Sequence, residues 1–211
     1  MKKITLLLLL GSIILSIACT NGKQSGISTK TSQFVGLTNQ YQNEYFTINY
    51  PNGYKVDANF NCKPANMDEL AKMDADSIAA MPMNELNIIP TTENAKWRLP
   101  EVYIVLSRHK LDFPIRMFMD LSIYAKTQTN ADNLPLIGYS DVDSISFAGF
   151  PALEIEFAYK GESGDTLVQH QIIVQKPDYS LYYLNNKYNR SYPESFEDGE
   201  KILSSFKFKS L

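Results

Sequence analysis

Two long alternating runs meet across a short polar turn: PALEIEFAYK at residues 151–160, then GESGD, then TLVQHQIIVQ at residues 166–175. Successive strand side chains point to opposite faces, so Leu153, Ile155 and Phe157 share one face and Glu154 and Glu156 the other. Glycine at both ends of the turn makes this a β-hairpin. A four-residue loop pairs Lys160 with Asp165, which predicts Ile155 opposite His170 and Phe157 opposite Val168, with Glu156 opposite Gln169 on the outer face. One face of this hairpin looks inward and the other is polar. The rest of the chain carries further strands and two helices.

Alternation elsewhere predicts those strands. Residues 101–109 (EVYIVLSRH) and 115–125 (IRMFMDLSIYA) read as strands buried on both faces. Residues 140–150 and 179–185 read as further strands, and a short one closes the chain at residues 207–209. Residues 44–56 (EYFTINYPNGYKV) read as an opening hairpin that turns at Pro51-Asn52-Gly53. Asn66 and Glu69 have capping-box spacing, which predicts an amphipathic helix running to Pro82. Ser191, Pro193 and Glu194 predict the start of a closing helix whose core face carries Phe196, Ile202, Leu203 and Phe206. Residues 84–100, with two prolines and Trp97, show no regular period. Asp132 to Gly138 breaks the pattern as well.

The N-terminus addresses the chain. Two lysines precede an apolar run too short to span a bilayer, and LSIAC follows. LSIAC is similar to a bacterial lipoprotein box, which predicts cleavage before Cys19 and a diacylglyceryl group on its thiol. Two or three acyl chains would hold the protein on a membrane, since each buried methylene contributes about 0.8 kcal/mol. The expected organisation is a signal peptide at 1–18, a lipid-anchored flexible linker at 19–43 rich in Ser, Thr, Gln, Asn and Gly, and one domain at 44–211. Thr20 is not the aspartate associated with inner-membrane retention, so the expected location is the cell envelope, at the outer membrane.

Losing Lys2 and Lys3 with the signal takes the formal net charge from −3 to −5, which argues against nucleic-acid binding. Cys19 and Cys62 are the only cysteines, so once the first is lipidated no intramolecular disulfide is expected. Cys62 reads as a small buried residue. Zinc-protease, phosphate-loop and dinucleotide motifs are absent, and Ser163 in GESGD sits in a hairpin tip rather than a nucleophile elbow. His109 and His170 are the only histidines. Their spacing to each other and to Cys62 lacks the local pairing of a metal site, and His170 has the parity of Val168 and Ile172, as a half-buried core histidine would. No cofactor or metal is expected. Tyrosine is abundant, with 13 residues, and interfaces favour tyrosine and arginine; a partner surface is expected around Trp97, Tyr188 and Arg190.

The order of parts resembles the PsbP-like family, which includes DcrB-like bacterial lipoproteins. The residues that carry the resemblance are FTINYPNGY (46–54), ISFAGFPALEIEF (145–157), Tyr182-Tyr183-Leu184 and the terminal ILSSFKF (202–208). The resemblance implies an α+β fold, an antiparallel sheet flanked by helices as an α/β/α sandwich, and a binding role rather than catalysis. The expected function is a non-catalytic, membrane-anchored envelope lipoprotein that binds a protein partner or a small envelope ligand. The alternative is a hydrolase or metal-dependent enzyme using His109, His170 or Cys62.

Overall fold

A computed structural model describes residues 36–60, 63–74, 76–77, 81, 83–93, 97–128 and 134–209. Cys19 and Cys62 lie outside these residues. The strands are β1 (Asn39–Gln42), β2 (Phe46–Tyr50), β3 (Tyr54–Asn59), β4 (Asn84–Pro90), β5 (Glu101–Leu106), β6 (Leu136–Tyr139), β7 (Asp143–Phe147), β8 (Phe150–Lys160), β9 (Thr166–Gln175), β10 (Leu181–Asn189) and β11 (Lys207–Phe208). The helices are α1 (Met67–Leu70), α2 (Ile115–Gln128) and α3 (Pro193–Ser204). An antiparallel eight-stranded sheet runs β3-β4-β5-β10-β9-β8-β6, with β7 also on β8. A second sheet has the order β1-β2-β11. The fold is α+β, and helices flank the large sheet.

Each face of the large sheet has its own core. On one face Ile104, Ile172, Val174 and Leu184 meet Ile202, Leu203 and Phe206 from α3 and its end, together with Phe46 and Ile48 of the small sheet. On the other, Ile155, Phe157 and Ile173 meet Phe118 and Met119 of α2, with Trp97 beside them. Burial on both faces is what the near-continuous apolar run of β5 requires.

The central hairpin forms, one residue out of the expected register. Lys160 pairs with Thr166, not Asp165. The amide of Gly161 donates to the Asp165 carbonyl at 2.9 Å and that of Gly164 to the Gly161 carbonyl at 3.0 Å, so the loop proper has three residues. Gly164 closes it at φ +84°, the left-handed position of a three-residue loop. A one-residue slip exchanges the faces seen across the ladder. Glu156 therefore stands opposite His170, and Ile155 opposite Gln171.

Other expectations change for identifiable reasons. Residues 115–125 form helix α2, not a strand: a short apolar run does not distinguish the two, and Ile115, Phe118, Met119 and Ile123 repeat at helical spacing after Pro114. Residues 46–54 do not make a hairpin. Strand β2 pairs with β1 and β11, whereas β3 pairs with β4, so Pro51-Asn52-Gly53 carries the chain from one sheet to the other. Asn39–Gln42, within the stretch expected to be linker, form strand β1 against β2. Residues 84–90, expected to be irregular, form β4 with Leu86 and Ile88 fully buried; the buried Asn84 disguised the alternation. Leu136–Tyr139 pairs with β8 where the pattern looked broken.

Helix α1 has the expected capping box, with the Glu69 amide donating to Asn66 Oδ1 and the Asn66 amide to Glu69 Oε2, but it ends at Leu70. Residues 75, 78–80 and 82 of the longer helix expected there lie outside the described residues. The cap of α3 is Tyr192 rather than Ser191, with Pro193 at the first turn. The terminal strand forms, and it pairs with the FTINY strand, Phe208 against Phe46.

Candidate functional site

Two polar arrangements occupy opposite ends of β10. The first lies under α3. His170 is 6% exposed, with Nε2 3.0 Å from Glu154 Oε2 and Nδ1 3.0 Å from Glu200 Oε1. Asn186, across from His170 on β10, donates through Nδ2 to the same Glu200 oxygen at 3.0 Å and to the Phe196 carbonyl at 3.2 Å. Helix α3 comes this close because residue 199 is glycine; a Cβ there would overlap the Asn186 amide. Burial alone would lower the His170 pKa, but Glu200 first and Glu154 second outweigh it and hold it above the ordinary histidine value. A protonated ring donates from both nitrogens, and here each nitrogen faces a carboxylate oxygen. Protonated His170 has no ring nitrogen left for a substrate proton or a metal. It ties β8 and β9 to α3.

Beside this cluster, the Tyr188 hydroxyl donates to Glu156 Oε1 at 2.7 Å, and Arg190 reaches Glu156 Oε2 at 3.3 Å. Burial and then Glu156 raise the Tyr188 pKa, so the phenol stays protonated. The Trp97 carbonyl accepts from the Asn189 amide at 3.0 Å and from Ser195 Oγ at 3.3 Å. The structure thus gathers Trp97, Tyr188 and Arg190 at one end of the sheet. Trp97 is only 3% exposed and Tyr188 only 6%, so of the three expected contact residues Arg190 alone is at the surface.

His109 belongs elsewhere. It bridges Ala65 beyond the end of β5, and burial, with Arg108 nearby, lowers its pKa. Leu106 pairs with Tyr182 and His170 with Asn186, so at about 3.3 Å per residue the two histidines are more than about 13 Å apart along the sheet. Among the described residues no group of three His, Cys, Asp or Glu side chains is placed to hold a metal ion. The imidazole constellation of the enzymatic alternative does not assemble there.

The second arrangement is a cleft of about 700 Å³ at the other end of β10, a size typical of ligand sites. Phe206, Lys207, Phe208 and Lys209 form one wall. Ala148 and Phe150 from the β7–β8 turn, and Lys176, Pro177 and Asp178 from the β9–β10 turn, form the other. The apolar floor is fixed by edge contacts, Phe208 to Phe150 at 5.1 Å and Phe208 to Tyr182 at 4.9 Å between ring centres. Lys176 Nζ sits 5.5 Å above the Phe208 ring. The cleft's own carboxylate is already engaged: Asp178 accepts from Lys110 at 2.8 Å and from the Ser180 hydroxyl at 2.9 Å, and its pKa is lowered although burial opposes it. Among the described residues Lys176, Lys207 and Lys209 form no ion pair. The cleft is therefore a basic, aromatic-floored site in a chain of net negative charge.

Sequence reasoning placed the FKFK end in the fold but did not read it as a site. Its signal was visible: phenylalanine and lysine alternate, which on a strand puts a basic row beside an apolar one.

No protein-family profile matches this chain. No curated protein matches it either. Solved structures similar to it include cyanobacterial PsbP (CyanoP) from Synechocystis sp. PCC 6803, at 12% identity over 83% of this chain and 95% of that one, with a TM-score of 0.49. LpqN, involved in cell envelope biogenesis of Mycobacterium tuberculosis, matches at 11% identity over 78% and 83%, with a TM-score of 0.40. The Ran-binding protein Mog1p of Saccharomyces cerevisiae matches at 9% identity over 80% and 94%, with a TM-score of 0.45.

Proposed function

We propose that this chain is a non-catalytic lipoprotein of the bacterial envelope, anchored through acyl chains on Cys19, whose domain binds a protein partner in the basic cleft. The observation that carries the binding reading is the cleft itself: three lysines that form no ion pair among the described residues, around a floor of phenylalanines, with Asp178 neutralised by Lys110. Such a surface recognises acidic groups attached to apolar ones. Support for the anchor comes from the LSIAC motif and the polar stretch after it. That stretch gives a tethered domain reach above the lipid, and tethering raises the effective concentration of a partner in the same membrane.

Fractionation of cells that make the Cys19→Ala variant tests the anchor. The domain is expected in the soluble fraction; retention on membranes contradicts lipidation. Charge reversal at the cleft lysines tests the binding site separately. The Lys176→Glu/Lys207→Glu/Lys209→Glu variant is expected to stay on membranes and to lose its partner.

A further inference from the structure

Strand β11 is the last strand of the small sheet and has a neighbour on one side only among the described strands. It pairs antiparallel with β2, Lys207 against Thr47 and Phe208 against Phe46, and the Lys209 amide donates to the Tyr45 carbonyl at 2.9 Å. Alternate residues of an antiparallel strand turn their N–H and C=O groups to the same side. If Lys209 faces β2, so does Lys207, and the backbone of Phe208 faces away from it. Residues 206–209, which carry this edge, line the cleft together with residues of the two hairpin turns.

An edge left open beside a cleft is where an extended segment of another chain adds a strand. Side-chain alternation then fixes its character. The phenylalanine side of β11 meets Phe150 and Tyr182, and the lysine side carries Lys207 and Lys209. A paired strand lies with every second side chain over the phenylalanines and the intervening ones beside the lysines.

We infer that β11 is a docking edge for an extended peptide segment of a partner protein, in which apolar residues alternate with aspartate or glutamate. The inference rests on the cleft being the binding site proposed above and specifies what that site takes. The backbone of the segment bonds at Phe208, its carboxylates meet Lys207 and Lys209, and its apolar side chains enter beside Phe208 and Phe150. Single-chain amphiphiles share the charge and the apolar part but lack the backbone.

Selection from a displayed random-peptide library on the full chain tests it, followed by affinity measurements on the synthesised winners. Selected peptides are expected to alternate acidic and apolar residues. Their affinity is expected to fall about tenfold for each of Lys207→Glu and Lys209→Glu, as for lost charge pairs at an interface. N-methylation of the peptide amides that face β11 is expected to abolish binding, and the Phe208 amide to exchange more slowly in the complex. Winners that ignore the lysines or tolerate N-methylation overturn strand addition. Dodecyl phosphate separates the two readings. If it binds and depends on the lysines while no peptide does, the cleft stands as a site and strand addition falls; if neither binds, both fall.

Discussion

Glu156 stands directly across the ladder from His170, yet the carboxylates that hold the ring are Glu154, one step along the same face, and Glu200 of α3. Glu156 instead serves Tyr188 and Arg190. Two adjacent carboxylates on β8 are thereby divided between two cations. The His170 cluster joins sheet and helix, and the Glu156 cluster closes the end of β10.

The pH dependence of stability should report His170. Its folded pKa is raised, so the contribution is complete below the unfolded value of about 6.5 and is lost as pH rises through the folded value. Urea melts of the wild type and His170→Gln between pH 5 and pH 9 check this. The wild type should lead by about 2 to 4 kcal/mol at the acid end, as for a buried group in charged hydrogen bonds, and the lead should shrink toward alkaline pH. A constant difference would show that the ring matters by packing alone.

Gly199→Ala should destabilise the domain even though alanine is the better helix former by about 1 kcal/mol. The added methyl meets the Asn186 amide, which already bonds to Glu200 and the Phe196 carbonyl. The expected net loss is about 1 to 3 kcal/mol, in the range for overpacking. Thermal denaturation measures it, and Gly199→Ala with Asn186→Ala should recover part of the loss.

Phe46→Ala should cost about 3 to 5 kcal/mol, because a fully buried phenyl leaves a cavity. Its ring stacks on Phe206 at 4.8 Å, so the small sheet should loosen from α3 with it. Lys207→Gln, on an exposed side chain of the neighbouring strand, should change stability by less than about 0.5 kcal/mol. Chemical denaturation of the two variants separates a structural role for β2 from a binding role for β11.

Alternation revealed β8 and β9, the longest strands, and the first half of β10, where the apolar residues of Leu181–Leu184 begin the strand. It failed where polar residues are buried or one period imitates another. Asn84 hid β4, and the apolar richness of residues 115–125 hid the helical spacing of Phe118 and Met119. Register was beyond the sequence for a local reason: whether Gly161 belongs to the loop or the strand depends on a single backbone hydrogen bond to Asp165, and that bond decides which face His170 shares with Glu154 and Glu156. The cleft was illegible for a different reason. Its walls come from three separate stretches, at 148–150, 176–178 and 206–209, that only the fold brings together.

The central claim is that the cleft lysines recognise the partner of a tethered domain. Crosslinking in intact cells, followed by purification of the full chain from membranes, tests it most directly when the wild type is compared with Lys176→Glu/Lys207→Glu/Lys209→Glu at equal expression. A specific crosslinked partner is expected with the wild type and its loss from the variant, with both proteins folded and on the membrane. An undiminished crosslink in the variant would contradict it.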